Sequence, residues 1–298
     1  MEERLDRRLA RMFPALPRSE IEAAIREGRV RVNGRPARKG MKLRPGDAVE
    51  AERLKEAADA AAGGWRGEPD LPLEVVYDDG DVVGVNKPPG MPTQPLRWSE
   101  RGTLVHALLA RWPGMAGVGD DPLCPGVLHR LDIGTSGVVL AARRQETWLA
   151  LRALFAARAV EKRYWAIVEG RAAAGSSDAP LVRQTRTPCR MRALAPGEAL
   201  PRHADVFPAE TSWTPLETGP HYTLLEVLIR SGVTHQIRCH LAAAGHPVAG
   251  DVLYGAAPLP AARHFLHAHS ISWRLAPASP VRVATAPPPP DFLPLLIS

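Results

Sequence analysis

The sequence contains few cysteines and no long apolar run. Its 298 residues include three cysteines, Cys124, Cys189 and Cys239, whose odd number and wide spacing fit neither a disulfide framework nor a CxxC metal site. Disulfides persist mainly in oxidising compartments, so we expect a reducing, cytoplasmic location. No stretch approaches the roughly 18 uncharged apolar residues that a membrane span needs. Residues 1–5 carry acids and no apolar core, so we expect no secretory leader.

The composition allows a folded core. Apolar residues make up 45% of the chain and charged residues 23%, which excludes global disorder. The length fits one large domain, or a small domain joined to a larger one.

Positive charge is concentrated at the start of the chain. Residues 1–55 contain 15 basic and 9 acidic side chains, and this excess equals the formal net charge of +6 of the whole chain. A basic N-terminal segment followed by a neutral remainder predicts that the segment binds a polyanion. The alternative is an ordinary solvated surface in an arginine-rich chain, which has 33 arginines and 5 lysines.

Local patterns predict a small unit of helices and a hairpin over residues 1–53. Ser19-Glu20-Ile21-Glu22 reads as a capping box with Ser19 as the N-cap of a short helix. An alternating strand then runs into Asn33-Gly34, the strongest short hairpin signal, and residues 45–47 predict a second turn. Residues 54–72 are rich in Ala, Gly, Asp and Pro, and we interpret them as a linker.

After this linker, strands and helices mix without a strict βαβ rhythm, which favours an α+β fold with a mainly antiparallel sheet and flanking helices. Strands are predicted over 75–77, 82–85, 138–141, 164–168 and 223–229, and helices over 145–159 and 235–244. We expect this second domain to span residues 73–284 and the proline-rich residues 285–298 to form a tail.

Asp132 is the first candidate for chemistry. It lies in a polar loop between Arg130 and Thr135, at the entrance to an apolar strand. A carboxylate near an arginine stays ionised and can act as a nucleophile or a base. The alternative, which is the commoner fate of a lone aspartate, is a structural cap.

Arg238, early in the second predicted helix, is the candidate partner of Asp132; the alternative is a surface arginine on a helix face. Two groups of histidines could suggest a metal: His235, His240 and His246, and His264, His267 and His269. A metal is not expected, because the HExxH pattern is absent and no Cys–Cys or His–Glu pair has ligand spacing. We expect most of these histidines to be hydrogen-bonded structural groups or phosphate contacts. A hydrolytic nuclease is disfavoured, because neither a metal cluster nor a pair of carboxylates is evident.

Four segments stand out in their order along the chain. They are Lys87-Pro88-Pro89-Gly90, His129-Arg130-Leu131-Asp132 with Thr135-Ser136-Gly137, residues 162–170 with Tyr164, and residues 235–255 with Arg238. In this order they closely resemble the first, central, tyrosine-bearing and last motifs of the RluA-type pseudouridine synthases. Residues 1–53 resemble the small RNA-binding domain named after ribosomal protein S-four. The resemblance therefore covers nearly the whole chain.

The resemblance implies a reaction and three catalytic residues. Enzymes of this family break the N1–C1′ bond of a uridine in RNA, rotate the base and rejoin it through C5, without a cofactor or a metal. Asp132 matches the catalytic aspartate, which acts either as a nucleophile at C1′ or in an elimination route. Tyr164 matches the tyrosine that stacks on the target base, and Arg238 matches the basic residue that pairs with the aspartate.

The same motifs imply the substrate contacts. Arg130 matches the arginine that fills the gap left by the flipped nucleotide, and Ile237 matches an apolar residue of the base pocket. His129, Thr135 and Lys87 belong to the same motifs and are expected to contact the substrate. Unstacking a base costs a few kcal/mol, which an inserted arginine and an aromatic platform can offset.

The sequence departs from the family at one position. The last motif usually begins Thr-Gly-Arg, whereas residues 231–233 are Ser-Gly-Val. The missing arginine affects either a phosphate contact or the range of substrates. We expect RNA as the partner, large-subunit ribosomal RNA as the substrate, no membrane and a monomeric enzyme. The alternatives are a transfer-RNA pseudouridine synthase and a non-catalytic RNA-binding or ribosome-assembly factor that has kept the fold.

Overall fold

The chain divides into two compact units. One is formed by Met1–Leu71 and Gln94–Gly126, and the other by Pro72–Thr93 and Val127–Ser298. The structure, a computed structural model, describes residues 3–13, 16–44, 46–55, 58, 64–186, 189–195, 197–198, 205–276 and 278–297.

Parts of the predicted domain plan fall outside the described residues. These parts are the turn residue Pro45 and the linker residues 56–57 and 59–63. The domain boundaries at residues 53, 72 and 284 stay a prediction.

The first unit is built from short helices and short antiparallel strands. Its elements are β1 (Glu3–Arg4), α1 (Leu5–Met12), α2 (Arg18–Arg26), β2 (Arg31–Val32), β3 (Arg35–Pro36), β4 (Lys42–Leu43), β5 (Val49–Glu50), α3 (Leu104–Arg111) and a 3₁₀ helix at Pro113–Gly117. β1 pairs with β4, and β2 lies between β3 and β5. The apolar faces of α1 and α2 share one core with the β2 strand, which includes Leu9, Ile21 and Val32.

The predicted hairpin in this unit is confirmed, and the predicted helix cap is wrong. Asn33 and Gly34 have φ angles of 51° and 75° and join the antiparallel pair β2–β3, as a two-residue hairpin turn requires. α2 begins at Arg18 with Pro17 as its N-cap, so Ser19 lies inside the helix. The fixed φ of proline suits this position, and the Pro17 carbonyl accepts the first backbone hydrogen bonds of the helix.

The second unit is built on one large, mainly antiparallel sheet, as predicted. From edge to edge its strands are β10 (Gly175–Ser177), β14 (Thr211–Thr218), β15 (Tyr222–Ile229), β9 (Glu161–Glu169), β16 (Leu266–Trp273), β8 (Ser136–Ala142), β7 (Val82–Lys87) and β6 (Glu74–Asp78), with β17 (Arg282–Thr285) also paired to β16. β16 and β8 run parallel, and the other described pairs of this sheet are antiparallel.

A smaller sheet and two helices complete the second unit. The small sheet has the order β12 (Cys189–Ala193), β11 (Leu181–Arg186) and β13 (Val206–Phe207), and the helices are α4 (Gln145–Ala156) and α5 (Gln236–Ala243). Short 3₁₀ helices lie at Val252–Tyr254 and Leu293–Ile297. The predicted helices over 145–159 and 235–244 are therefore confirmed. None of the described helices has the length and hydropathy of a membrane span.

The centre of the large sheet positions the loop that carries Asp132. β8 follows this loop, all seven of its residues are buried, and it pairs with β7 so that Lys87 lies opposite Gly137. Gly137 has a φ of 111°, and a Cβ there would lie 2.2 Å from the carbonyl oxygen of Ala268 on β16. A residue with a side chain cannot occupy this position without moving the two parallel strands apart.

The C-terminal residues pack onto the same unit. Phe292 is fully buried, and its ring centre lies 5.9 Å from those of Phe265 and His267. It belongs to a core cluster that includes Ile167 and Leu224 from β9 and β15. Burial of this aromatic ring fixes the chain end against the centre of the sheet.

Candidate active site

A buried lysine anchors the loop that carries Asp132. Lys87, the last residue of β7, is fully buried. Its ammonium donates to the carbonyls of Pro88 at 2.9 Å, Met91 at 2.8 Å and Ile133 at 3.3 Å. Burial lowers the pKa of Lys87 to about 7, and the Asp132 carboxylate opposes this shift. The three contacts tie the turn after β7 to the residue that follows Asp132.

One guanidinium joins two carboxylates. Arg238, the third residue of α5, donates from Nη1 to Oδ2 of Asp132 at 2.7 Å. It also donates from Nε and Nη2 to the two oxygens of Asp251, at 2.5 and 2.8 Å. The side chains of Arg238 and Asp251 are 7% and 2% exposed, whereas that of Asp132 is 28% exposed. Asp251 is therefore the buried anchor, and Asp132 is the carboxylate that a substrate can reach.

Electrostatic interactions keep this pair charged. Desolvation raises the pKa of Asp132, but the charge of His235 in its protonated form and the charge and hydrogen bond of Arg238 outweigh it, so this pKa lies below its ordinary value. Desolvation lowers the pKa of Arg238, but the hydrogen bonds and charges of Asp251 and Asp132 outweigh it, so this pKa lies above its ordinary value. Asp132 is an ionised carboxylate at neutral pH, the form that acts as a nucleophile or a base.

His235 faces the same carboxylate from the start of α5. Its Nε2 lies 3.7 Å from Oδ2 of Asp132, and its Nδ1 lies 3.0 Å from Oη of Tyr254. The Tyr254 hydroxyl also accepts a hydrogen bond from the amide of Met191 at 3.0 Å. Desolvation lowers the pKa of His235, and the Asp132 carboxylate opposes this shift. Since the pKa lies below its ordinary value, the imidazole is neutral at neutral pH.

Tyr164 and Ile237 are buried beside the charged group. Tyr164 lies on β9 and is 7% exposed. Desolvation raises its pKa, and the Asp132 carboxylate raises it further, so the hydroxyl is protonated and close enough to interact with that charge. Ile237 is 4% exposed in the first turn of α5, next to Arg238. Asp132 thus interacts with both Tyr164 and Arg238.

Thr135 is buried and closes the turn that carries Asp132. Its Oγ1 lies 2.7 Å from Nε2 of His264, and its amide donates to the carbonyl of Asp132 at 3.0 Å. Burial lowers the pKa of His264 to about 4, so this imidazole is neutral. A Cβ at Gly134 would lie 2.9 Å from the His264 ring. The histidine therefore packs directly on the backbone of the turn.

His129 and Arg130 occupy different environments. His129 accepts a hydrogen bond at Nε2 from the amide of Leu140 at 3.1 Å, and its ring stacks on Phe155 with centres 5.4 Å apart. Burial lowers the pKa of His129 to about 3, so this residue is a neutral group that packs on α4. Arg130, the next residue, is exposed.

Lys162 is a second buried cation near these residues. It is 4% exposed, donates to the carbonyl of Ser231, and lies 5.6 Å from the centre of the Phe155 ring. Burial lowers its pKa to about 8. Lys162 ties β9 to the segment that precedes α5.

Val233, where the family usually has an arginine, lies against an apolar cluster. The cluster contains the buried residues Leu181, Met191 and Cys239, and Tyr254 also packs against it. Met191 and Leu181 belong to the small sheet, and Cys239 belongs to α5. Val233 therefore contributes apolar packing between the small sheet and α5.

The sequence predicts no role at Asp132 for four polar residues of the site: Asp251, Tyr254, His235 and His264. Asp251 and Tyr254 lie within the last motif, so their position in that motif was the available signal. His235 was considered only as a metal ligand, a structural group or a phosphate contact. His264 lies outside the four motifs, and its local sequence carries no signal of its contact with Thr135.

The arrangement supports chemistry at a single carboxylate. Asp132 is charged, partly exposed and oriented by Arg238, and a protonated tyrosine lies within electrostatic range of it. Across the described residues, no group of three or more His, Cys, Asp or Glu side chains could hold a metal ion.

Two family models match the chain. The model described as RNA pseudouridylate synthase matches residues 81–243, more than half of the chain. The S4 domain model matches residues 3–49. The first match includes Asp132, Tyr164 and Arg238, and the second lies within the first compact unit.

Individual relatives agree with these matches. An uncharacterized RNA pseudouridine synthase of Chloroflexus aurantiacus is 38% identical over 278 residues, covering 89% of this chain and 80% of that protein. The ribosomal large subunit pseudouridine synthase D of Xanthomonas campestris is 36% identical over 306 residues, covering 97% and 86%. The solved structure of human RNA pseudouridylate synthase domain containing 1 has a TM-score of 0.58 at 26% identity, covering 76% of this chain and 86% of that chain.

Proposed function

Because the chain belongs to the RNA pseudouridylate synthase family, we propose that it isomerises specific uridines of large-subunit ribosomal RNA to pseudouridine. The observation that carries this proposal is the ionised, partly exposed Asp132 carboxylate held by Arg238 at 2.7 Å. Ribosomal RNA as the substrate is supported by the name of the relative from Xanthomonas campestris. RNA as the partner is supported by the S4 domain over residues 3–49.

Asp132 acts on the ribose of the target uridine. Its carboxylate either attacks C1′ while the N1–C1′ bond breaks, or assists loss of the base by elimination. The detached uracil rotates, and C5 bonds to C1′ as the bond between C1′ and the carboxylate breaks or, in the elimination route, as C2′ regains the proton that it lost. The C5 hydrogen is then lost and N1 gains a proton. Substrate and product have the same atoms, so the reaction needs no co-reactant.

Three further residues handle the flipped base. Tyr164, which is buried and feels the charge of Asp132, stacks on the uracil, and its hydroxyl takes part in the proton transfer at C5. Ile237 lines the base pocket next to Arg238. Arg130 is exposed, as an arginine that fills the gap in the RNA stack must be.

Lys87, Thr135 and His129 position the site. These three side chains are withdrawn from solvent and make hydrogen bonds to protein groups. Those contacts do not support the substrate contacts predicted for the three residues. Lys87 and Thr135 hold the loop around Asp132 from both sides, and His129 holds the start of that loop against β8. Their contribution is a fixed carboxylate, since small displacements of a reacting group are costly to the rate.

The basic first unit supplies affinity for the RNA backbone. Arg31, Arg35 and Arg38 are exposed around the β2–β3 hairpin, within the S4 match. Arginines that neutralise phosphates give binding that weakens as salt rises. Recognition of the particular uridine then comes from the shape and loops of the RNA. That the enzyme acts as a monomer stays a prediction, which light scattering of the purified protein checks.

Mapping of pseudouridines tests the proposal. Ribosomal and transfer RNA from a strain lacking this protein would be compared with wild-type RNA by the reverse-transcription stops that pseudouridine adducts cause. We expect at least one stop to disappear from large-subunit ribosomal RNA and to return with the wild-type protein but not with Asp132→Asn. Loss of a stop only in transfer RNA would assign that substrate instead. An unchanged map of both RNAs would contradict the proposed activity.

A further inference from the structure

We propose that His235 is a positioning residue for Asp132: held by Tyr254 in the tautomer that carries hydrogen on Nε2, it joins Arg238 in holding Oδ2 of the carboxylate and leaves Oδ1 as the reacting oxygen. This inference rests on the proposed function. It adds a residue that acts through Asp132, and it names the oxygen that meets the ribose.

The backbone of His235 is held in an uncommon conformation. It has a φ of 56° and a ψ of 17° at the N-cap of α5, a left-handed geometry that residues other than glycine rarely adopt. Its carbonyl accepts the first hydrogen bond of the helix from the amide of Cys239 at 2.9 Å. The surrounding contacts must therefore fix this conformation. This backbone conformation places the imidazole of His235 between Tyr254 and Asp132.

Hydrogen bonding at Tyr254 selects the tautomer of His235. The amide of Met191 on β12 donates to the Tyr254 oxygen at 3.0 Å, so the hydroxyl hydrogen is free to be donated elsewhere. Among the described residues, Nδ1 of His235, 3.0 Å away, is the group that receives it. Nδ1 is then an acceptor, and in a neutral imidazole the hydrogen lies on Nε2. The pKa of His235, lowered by desolvation, agrees with the neutral form.

Both donors act on one oxygen of Asp132. Arg238 donates from Nη1 to Oδ2 at 2.7 Å, and Nε2 of His235 lies 3.7 Å from the same Oδ2. Among the described residues, no hydrogen bond reaches Oδ1. At 3.7 Å the histidine acts through its N–H dipole, and such contacts shorten when a substrate fills the site. Oδ1 keeps its lone pairs for the substrate.

Several other groups surround this arrangement. The charges of Asp132, Arg238 and Asp251 all act on His235, two from carboxylates and one from a guanidinium. The charge of Asp132 also acts on His264, whose pKa burial lowers to about 4. Tyr254, also under the guanidinium of Arg238 at 5.2 Å, is protonated because burial raises its pKa. These groups make Tyr254 a donor and His235 a neutral acceptor at neutral pH.

The small sheet supports the arrangement through its backbone. Because the donor to Tyr254 is the main-chain amide of Met191, no side-chain substitution on β12 other than proline removes it. The Met191 side chain is buried in the cluster against which Val233 and Tyr254 pack. The small sheet thereby fixes Tyr254, and Tyr254 fixes the ring of His235. His235 in turn fixes Oδ2 of Asp132.

A matched pair of variants tests the proposal in the full-length enzyme. His235→Gln keeps an N–H donor near the position of Nε2, whereas His235→Leu has none, and both bear the same cost of a left-handed backbone. The rate would be followed by release of tritium from RNA transcribed with uridine labelled at C5, since that hydrogen leaves during the reaction. RNA affinity would be measured separately by filter binding.

We expect His235→Leu to lower the single-turnover rate about tenfold with unchanged Kd for RNA, as loss of a charge-assisted donor predicts. The acid limb of its pH–rate profile should move to higher pH, because a carboxylate with one donor fewer is protonated more easily. His235→Gln should keep most of the wild-type single-turnover rate, and the acid limb of its pH–rate profile should lie close to that of the wild type. Equal rates and equal acid limbs for the two variants would overturn the proposal, whereas a wild type that releases no tritium would overturn the proposed function instead.

The tautomer gives a second test that does not depend on activity. In protein labelled with ¹⁵N at histidine, the signal lost in His235→Gln identifies His235, and its shifts show which ring nitrogen is protonated. We expect hydrogen on Nε2 in the wild type and a mixture of tautomers in Tyr254→Phe. A wild-type His235 with hydrogen on Nδ1 would refute the assignment.

Discussion

Arg238 holds Asp251 in a buried two-point contact, Nε to Oδ2 at 2.5 Å and Nη2 to Oδ1 at 2.8 Å. The third donor of the same guanidinium is thereby aimed at Asp132. An arginine fixed on one side by a buried carboxylate cannot rotate away from the other. Asp251 therefore fixes the position of the Arg238 guanidinium beside Asp132.

Asp251→Asn should cost stability as well as rate. The substitution leaves Arg238 buried with one carboxylate instead of two, and breaking a buried pair costs about 3 kcal/mol of unfolding free energy. Asp291→Asn is the control, because Arg263 also binds Asp291 through Nε and Nη2 but that carboxylate is 50% exposed. We expect about 1 kcal/mol or less for the control. Urea unfolding measures the free energy of unfolding of both variants. Equal losses would show that burial does not make the Asp251 contact more stabilising than the exposed one.

Asp132→Asn should abolish isomerisation and preserve RNA binding. The amide has nearly the shape of the carboxylate and still accepts a hydrogen bond from Arg238, but it is neither a nucleophile nor a base. We expect tritium release to fall at least about a thousandfold, as for loss of an essential reacting group, with the Kd for RNA unchanged. Asp70→Asn, at an exposed position in the first unit, is the control. Parent activity in Asp132→Asn would remove the carboxylate from the reaction.

Tyr164→Phe separates stacking from proton transfer. Phenylalanine keeps the ring, so the Kd for RNA should match that of the wild type. The missing hydroxyl should slow tritium release about tenfold or more, since a hydroxyl that relays the proton leaving C5 contributes at least that factor. Tyr164→Leu, which lacks the ring, should lose both rate and affinity. Full activity in Tyr164→Phe would leave the residue with the stacking role alone.

Much of the second unit could be predicted from short-range patterns. The apolar run over 138–141 and the apolar spacing after Gln145 correctly predict a strand and a helix, because the strand is buried along its whole length and the helix buries Trp148 and Leu151. β14 and β16 were missed. β14 is polar or exposed over its second half, and β16 contains His267 and Ser270 among its apolar residues. β16 takes its strand conformation from pairing with β9, far away in the sequence. β14 takes it from the hairpin with β15 and from its other neighbour, the distant β10.

Local sequence offers Asp132 and Arg238 only as candidates with structural alternatives, and the motif resemblance is what joins them into one site. Asp132 and Arg238 are 106 positions apart, and no local periodicity brings such residues together. The contact of Thr135 with His264 spans 129 positions and involves no motif on the histidine side. The sheet order, which places β16 beside β8, creates that contact, and sheet order depends on the packing of the whole unit.

The salt dependence of RNA affinity should show whether the first unit binds the RNA backbone. Each phosphate contact removed from the hairpin should lower the slope of log K against log salt by about 1. The triple variant with alanine at Arg31, Arg35 and Arg38 should therefore bind more weakly at low salt and with a shallower slope. Arg144→Ala is the control, since this exposed arginine of the second unit is already paired with Asp81. An unchanged slope in the triple variant would show that this surface does not bind the backbone.

Lys87 should make stability depend on pH in a predictable direction. Burial lowers its folded-state pKa to about 7 from the ordinary 10.5. Between these values the unfolded chain holds a proton on Lys87 that the folded protein has released, so unfolding free energy rises with pH. Below the folded pKa both states are protonated, and the cost of burying the charge is fully present.

Comparison with Lys87→Met isolates this contribution, because methionine fills similar space without a titrating group. The difference in unfolding free energy, wild type minus variant, should grow by up to about 1.4 kcal/mol per pH unit as pH rises above neutral. The variant should also lose activity throughout, since the carbonyl of Ile133 beside Asp132 loses its ammonium donor. Urea unfolding of both proteins from neutral to alkaline pH measures the difference. A difference that stays flat with pH would mean that the three carbonyls hold the ammonium charged despite its burial.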